Sequence, residues 1–464
     1  MVAADADSRS SDLAHDDAAI PGPADRGRER VRRIALSALV ALVSRVGTLL
    51  VLLVTVPMAR DTLGPDRFGM WMALSSLIAV SAFADFGIGN GVLSLTARGH
   101  GDKRPETIRR AATSGVVILS GLALAGVVLL AAGYRLVDWA ALFRVADPRA
   151  VSESASAVLV FGTCFALGLP ASVVGRVQAG LQSGYLNDIW SGIGSIAAFA
   201  GVVAAITLHA GLPVMLAALV GLPALAQTAN SIWFFARSPA IRPSPSHWHG
   251  ETSRQILRLG SRFFVLQLIA VITFRLDVVI VARLFGATIA GEYAVYERLF
   301  VMVGMLAAFV INPLWPAYTE ALRRRDMAWI RNAFRLSVIL VPLLTAVAVL
   351  CIVLLAPYVG EVWLHTPAVA LALLLGLAAW RILENTGMSL AMILNGLGML
   401  KVQIVSASAL LFIATSLKLI LAPRMGTSVI PWSTSVVYCL VTLGPLIFLI
   451  NRRLRREDQG DARS

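Results

Sequence analysis

The chain has 464 residues, of which 57% are hydrophobic and 14% charged, and its mean hydropathy is +0.76. A soluble domain carries about 25% charged residues, so the composition excludes a soluble enzyme. The net charge is +13. In membrane proteins the cytoplasmic loops carry an excess of Lys and Arg, and because this accounts for the positive charge, we expect no nucleic-acid partner.

Residues 1–33 begin with an acidic, polar stretch and contain no apolar core of the signal-peptide type. We expect a disordered cytoplasmic tail there. Apolar runs of about 20 residues follow, each long enough to cross a bilayer as a helix. The twelve predicted spans are 34–58, 68–94, 111–133, 157–179, 191–209, 212–236, 263–285, 294–318, 336–357, 368–393, 402–422 and 429–450.

Basic residues are concentrated in alternate connections between these spans. The connections after spans two, six and eight and both terminal segments are rich in Lys and Arg, whereas the intervening connections hold few. The positive-inside rule therefore places both termini in the cytoplasm.

The two halves of the chain resemble each other. Ala59-Arg60-Asp61-Thr62-Leu63-Gly64 after span one is matched by Ala282-Arg283-Leu284-Phe285-Gly286 after span seven. Six spans per half make these parallel repeats about an axis along the membrane normal. The expected fold is an all-α polytopic membrane protein of about 12 transmembrane helices, arranged as two six-helix lobes around a central cleft. The lobes are predicted at 34–236 and 263–450, with a cytoplasmic linker at 237–262 and a basic tail at 451–464.

Ionisable residues in the middle of spans are costly and indicate function. Arg45 lies in span one, and Arg275 and Asp277 lie in span seven. Two cations facing one cleft would suit an anionic substrate, because guanidinium groups bind phosphate oxygens bidentately. Asp277 is a candidate for ion coupling. The alternative is that each charge forms a static ion pair with another helix.

Other polar positions are also candidates. Arg381 and Glu384 in span ten share a helix face, so they form either an intrahelical pair or part of the cleft, with Arg381 as a possible substrate ligand. Arg176, Lys418, Glu297 and Arg298 are predicted near span ends, where long side chains reach the interface.

Asp85 precedes three glycines at alternate positions, Gly87, Gly89 and Gly91. Glycines at this spacing allow either a hinge or a close helix crossing. Asp85 itself is a second candidate for ion coupling or ion pairing.

Enzyme and metal motifs are missing from the sequence. The three cysteines and six histidines do not have metal-ligand spacing, and there is no Walker A motif, nucleophile elbow or zinc-binding His-Glu motif. We therefore expect no cofactor, no metal and no enzyme activity.

Several motifs together resemble a known family. Leu63-Gly64-Pro65-Asp66-Arg67-Phe68-Gly69-Met70-Trp71, followed by the Asp85 to Gly91 motif, is similar to the first hairpin of Wzx-type polysaccharide flippases. These belong to the multidrug/oligosaccharidyl-lipid/polysaccharide exporter superfamily. Phe274-Arg275-Leu276-Asp277, Pro313-Leu314-Trp315-Pro316-Ala317-Tyr318 and Leu394-Asn395-Gly396-Leu397-Gly398 resemble motifs of the same family in the second half.

The resemblance implies translocation of an undecaprenyl-diphosphate-linked oligosaccharide between the leaflets of the bacterial cytoplasmic membrane, driven by a proton or sodium gradient. Arg45 and Arg275 would then be cavity arginines, and Asp277 a coupling or pairing carboxylate. Membrane lipids, a polysaccharide polymerase and glycosyltransferases are the implied partners.

Two alternatives remain from the sequence. A multidrug/toxin cation antiporter of the same fold would need acidic residues in the cleft, whereas the central charges here favour arginine. A membrane polymerase or glycosyltransferase would need a large outer loop, and the longest one, at about 134–156, has no carboxylate pair suited to acid/base catalysis.

Overall fold

The computed structural model describes residues 55, 57–60, 62–134, 136–359 and 370–461. The predicted tail at 1–33, most of span one and the candidate ligand Arg45 lie outside the described residues.

The described residues are helical and contain no strand. The helices are α1 (62–76), α2 (Ile88–Gly101), α3 (Pro105–Gly133), α4 (Pro148–Gly180, interrupted at Ser172), α5 (Gly184–Thr207), α6 (Leu212–Arg237), α7 (Gly250–Phe285), α8 (Ala287–Ile311), α9 (Leu314–Arg323), α10 (Met327–Val359), α11 (Leu371–Gly396), α12 (Leu400–Met425) and α13 (429–461).

Helix starts follow local sequence signals. Pro105 and Pro148 occupy first-turn positions of α3 and α4, where a missing N–H has no cost. Asp147 caps α4 by accepting a hydrogen bond from the backbone N–H of Ala150.

Within the described residues, nine helical stretches are long and apolar enough to cross a membrane. Counted with α11 and the broken span formed by α1 and α2, they confirm the predicted all-α, multi-pass membrane fold. Successive spans run in opposite directions. We call the end with the turns at 102–104, 181–183, 238–249, 324–326 and 397–399 the basic end, and the opposite one the far end.

Some predicted boundaries were wrong. Span two, predicted as one helix over 68–94, is broken between α1 and α2 by a turn at 85–87, because Gly87 adopts the left-handed conformation with φ 76°. α7 begins at Gly250, before the predicted start of span seven at 263, and the preceding connection at 238–249 contains two short 3-10 turns, Pro239–Ile241 and Pro245–His247.

The repeat is visible in the backbone. Positive φ angles recur at corresponding turns of the two halves: Gly64 with Gly286, Lys103 with Arg325, Gln182 with Gly398, and His209 with Gly426. The last span of each half also contains one π-helical segment, at Ala217–Gly221 in α6 and at Tyr438–Leu443 in α13. The two halves therefore share local irregularities as well as helix order, and this confirms the predicted parallel repeat.

The halves meet at the basic end. Leu93 of α2 packs with Phe263, Trp315 and Leu400 of the second half. Phe86 lies against Phe264, with ring centroids 5.2 Å apart. We call this contact, together with the surrounding turns, the basic-end interface.

Glycines allow the backbones to approach closely here. A Cβ on Gly91 would lie 2.8 Å from the carbonyl oxygen of Ile256, and one on Gly260 would lie 3.1 Å from the backbone of Gly87. The geometry at Gly87 and Gly91 is that of close packing between α2 and α7.

Adding one methyl group at this crossing should push the halves apart. In a chain whose three cysteines are replaced by alanine, Gly91→Ala should raise the labelling of a Leu93→Cys reporter by a water-soluble maleimide, because overpacking costs about 1–3 kcal/mol. Gly121→Ala is the matched control, since nothing lies within 4 Å of a Cβ at Gly121. Equal labelling in both variants would mean that Gly91 does not hold the interface closed.

Candidate functional site

Charged residues form a layer across the second half at one depth. Arg275 lies ten residues before the end of α7, and Glu297 and Arg381 lie ten residues after the starts of α8 and α11. All three helix ends are at the far end. At 1.5 Å per residue each group is about 15 Å deep, which is half of a hydrocarbon core of about 30 Å.

Asp277 of α7 forms an ion pair with Lys418 of α12. Lys418 is only 1% exposed, and this makes it one of the largest fully buried side chains of the described residues. The ammonium group therefore neutralises the carboxylate inside the second half. The sequence had placed Lys418 near a span end, but α12 extends to Met425 and leaves Lys418 two turns inside the helix.

Arg381 and Glu384 form the second ion pair of the layer. Nη1 of Arg381 lies 2.6 Å from Oε2 of Glu384, and Arg381 is 7% exposed. A Cβ on Gly304 of α8 would lie 2.8 Å from the same Nη1, so the glycine makes room for the guanidinium group. The Nε atom of Arg381 is buried without a hydrogen-bond partner among the described residues.

Two charged groups of the layer have no partner in the part of the chain that the structure describes. The Arg275 side chain is exposed, and Glu297 is half-buried. Within the described ranges neither makes a hydrogen bond or an ion pair. Glu297 nevertheless interacts electrostatically with the charges of four neighbouring residues of the layer, Arg275, Asp277, Arg381 and Glu384. Arg275 is thus a cation at mid-membrane depth whose hydrogen-bond donors are available to a ligand.

Among the residues that the structure describes, the corresponding region of the first half is mainly hydrophobic. It contains a core of Trp71, Phe161, Val202 and neighbouring residues. The pseudo-symmetric positions therefore differ in chemistry, and among the described residues the mid-depth charges belong to the second half.

The Asp85 motif has a different environment. The Asp85 carboxylate accepts hydrogen bonds from the backbone N–H groups of Gly87 and Gly89, at 2.8 and 3.1 Å, and lies 3.7 Å from Nη2 of Arg176. A Cβ on Gly89 would meet this pair, at 2.5 Å from Asp85 and 2.6 Å from Arg176. Asp85 therefore caps the start of α2 and is paired with a cation of α4.

No group of three or more His, Cys, Asp or Glu residues that could hold a metal ion occurs in the described part of the chain.

The sequence profile of the family described as "Polysaccharide biosynthesis protein" matches residues 34–322, more than half of the chain. The chain belongs to this family. The match confirms the resemblance seen in the motifs, and it runs from the first span through α9. A search of curated proteins gave no significant match.

Several solved structures have a fold similar to that of this chain. An outward-facing multidrug resistance MATE family transporter of the MOP superfamily has a TM-score of 0.74 and 15% identity, covering 93% of this chain and 97% of that one. A MOP superfamily transporter from Pyrococcus furiosus, described as having a binding pocket of reverse polarity, has a TM-score of 0.74 and 15% identity, covering 92% and 97%. At this identity the similarity establishes the fold alone, that of MOP-superfamily transporters.

Sequence reasoning missed Glu297 and Lys418 as members of the charged layer. Both were assigned to span ends because the apolar runs were cut too short: α8 begins at Ala287 and not at 294, and α12 ends at Met425 and not at 422. Hydropathy weakens wherever a charge occurs, so a buried charge shortens the predicted span around itself.

Proposed function

We propose that the protein is a flippase that moves an undecaprenyl-diphosphate-linked oligosaccharide from the inner to the outer leaflet of the bacterial cytoplasmic membrane, for surface polysaccharide synthesis. Membership of the polysaccharide biosynthesis family supports a glycan-related substrate. The observation that carries the proposal is the exposed Arg275 at mid-membrane depth, which has no hydrogen-bond or ion-pair partner among the described residues.

Arg275 suits a diphosphate for three physical reasons. Its guanidinium group can donate two parallel hydrogen bonds to phosphate oxygens. It carries its charge at every physiological pH. An exposed arginine at this depth is tolerated only where it faces a water-filled cleft, because facing lipid would cost several kcal/mol. Arg45 and Arg381 are proposed as further ligands. Arg381 would bind the substrate after the diphosphate replaces Glu384 as its ion-pair partner.

Alternating access between the lobes at 34–236 and 263–450 is the proposed mechanism, with the linker at 237–262 between them. The basic end is assigned to the cytoplasm by the positive-inside rule. Because the halves meet at the basic end, the described conformation is closed towards the cytoplasm. The loading step then requires the basic-end interface to open.

Coupling to a proton or sodium gradient is assigned to a carboxylate, with Asp277 of the charged layer as the first candidate. Glu384 of the same layer and Asp85 of the first half are the other candidates. Asp277 can change its charge state only if Lys418 moves or is discharged. A polymerase and glycosyltransferases are the proposed partners in the cell, since they supply and consume the translocated lipid.

Reconstitution tests the proposal directly. Purified protein in liposomes that contain undecaprenyl-diphosphate-linked oligosaccharide should make the inner-leaflet glycan accessible to an external lectin, and protein-free liposomes should not. Uptake of a cationic dye in exchange for protons, without glycan translocation, would instead support a multidrug/toxin cation antiporter; one solved structure of similar fold is described as a multidrug resistance transporter. That second result would overturn the flippase assignment.

A further inference from the structure

The basic-end interface is pseudo-symmetric. The C-terminal ends of α2 and α9 meet there, and a Cβ on Gly101 would lie 2.6 Å from the Cβ of Arg323. The tight turn before α5 and the tight turn before α12 flank this contact, with Gln182 and Gly398 at their corresponding positive-φ positions. Each half therefore presents one helix end and one turn to the other half.

On one side of the interface, the side chain at the turn position makes a hydrogen bond to the helix end of the other half. Gln182 of the first half donates a hydrogen bond from Nε2 to the carboxylate of Glu320 in α9. The other oxygen of Glu320 lies 2.9 Å from Nη1 of Arg324. Glu320 is buried and its charge is compensated.

On the other side of the interface, the turn position has no side chain that could make the corresponding contact. Arg98 of α2 corresponds to Glu320, and Gly398 corresponds to Gln182. Nη2 of Arg98 would lie 3.5 Å from a Cβ at Gly398, so glycine leaves the space that a side chain occupies on the first side. Arg98 is half-buried and makes no hydrogen bond or ion pair among the described residues.

A second guanidinium group faces the same place. Arg323 and Asp102 are both near enough for their charges to act on Arg98, and Nε of Arg323 lies 3.8 Å from Oδ1 of Asp102, across the interface. Two arginines and one partly exposed carboxylate thus leave excess positive charge beside an open glycine turn.

We propose that Arg98, Arg323 and the turn at Gly398 form a binding site for a phosphate or diphosphate group at the basic end, and that the diphosphate of the lipid-linked substrate is captured there before it enters the cleft. This proposal rests on the proposed flippase function for the identity of the ligand. The site is separate from the mid-membrane layer of Arg275, because α2 and α9 end at the surface of the bundle.

Binding at this site would also hold the two halves together. A diphosphate offers Arg323 two charge-assisted hydrogen bonds, whereas Asp102 offers one contact at 3.8 Å. Because Arg98 belongs to the first half and Arg323 and Gly398 belong to the second, a diphosphate held by both arginines favours the arrangement in which α2 and α9 are in contact. Separation of α2 from α9, which loading requires, would then release the diphosphate from this site.

The binding test uses purified protein in nanodiscs and undecaprenyl diphosphate as the probe. Arg98→Gln should weaken binding about tenfold or more, equivalent to about 1.4 kcal/mol. Gly398→Gln should do the same by filling the turn, and Gln182 shows that glutamine is accepted at the corresponding positive-φ position. Arg335→Gln is the control, since Arg335 is an exposed arginine on α10 without a hydrogen bond or ion pair in the described structure.

Two further probes identify the source of the phosphate group. Inorganic pyrophosphate competing with undecaprenyl diphosphate would show that the diphosphate itself is recognised. Competition by phosphatidylglycerol at equal surface density would show that the site binds ordinary anionic headgroups, and would overturn its role in substrate capture.

The conformational test uses the cysteine-free chain with spin labels at Lys103→Cys and Ala328→Cys. Undecaprenyl diphosphate should shift the distribution of distances between the labels towards its short component, and Arg98→Gln should abolish this change. Unchanged binding and an unchanged response in the folded Arg98→Gln and Gly398→Gln variants would overturn the proposal, even if flipping occurs. Absence of flipping by the wild-type chain would reject the flippase function and leave the measured anion binding intact.

Discussion

Replacing Arg275 by Gln is expected to lower the initial rate of glycan translocation by about a hundredfold or more. Two charge-assisted hydrogen bonds to the diphosphate would be lost, each worth about 1.5–3 kcal/mol, and a hundredfold change corresponds to about 2.7 kcal/mol. The measurement is the initial rate of lectin accessibility in the reconstituted liposomes.

Stability should not fall in this variant. Arg275 is exposed and makes no ion pair among the described residues, so its removal leaves no buried group without a partner. The melting temperature of Arg275→Gln should therefore match that of the wild type. Loss of transport together with loss of folding would assign a structural role to this arginine.

Two companion variants sharpen the result. Arg275→Lys keeps the charge but cannot bind bidentately, so an intermediate rate is expected. Arg283→Gln removes another exposed cation of α7, two residues from its end at Phe285, and should leave the rate unchanged. Equal rates for Arg275→Gln and Arg283→Gln would remove Arg275 from the substrate site.

The order of the helices was accessible from the sequence because apolar runs and basic connections alternate regularly. The repeat was accessible too, since Gly64 and Gly286 both stand at turns that require a positive φ. The break in span two was not found, because Asp85 is the only charged residue in 68–94. Whether the glycines around that residue bend a helix or pack it depends on which helix lies opposite.

The charged layer could be predicted only in part. Arg275, Asp277, Arg381 and Glu384 were recognised because they interrupt predicted spans. The Arg381–Glu384 pair is local and was one of the two predicted alternatives. The partner of Asp277 could not be recognised, since Asp277 and Lys418 are 141 residues apart and a single sequence carries no signal for such a contact. The difference between the Gln182–Glu320 contact and the Gly398–Arg98 contact could not be predicted either, because it depends on how the two halves pack against each other.

Lys418→Met is expected to cause the largest loss of stability. It would leave the Asp277 carboxylate buried without its cation, and breaking a buried pair from one side costs about 3–5 kcal/mol. The measurement is thermal unfolding of the detergent-solubilised protein. Lys401→Met is the control, because Lys401 is an exposed lysine of the same helix and its removal should leave the melting temperature unchanged.

The double variant Asp277→Asn with Lys418→Met separates structure from coupling. It has no buried charge at this position, so most of the lost stability should return, as it does when buried ion pairs are replaced as a unit. If Asp277 carries the coupling ion, the stable double variant should translocate glycan at a rate that no longer responds to an imposed ion gradient. A gradient response equal to that of the wild type would show that the pair only holds α7 against α12, and the coupling carboxylate would then have to be sought at Glu297 or Glu384, the remaining carboxylates of the layer.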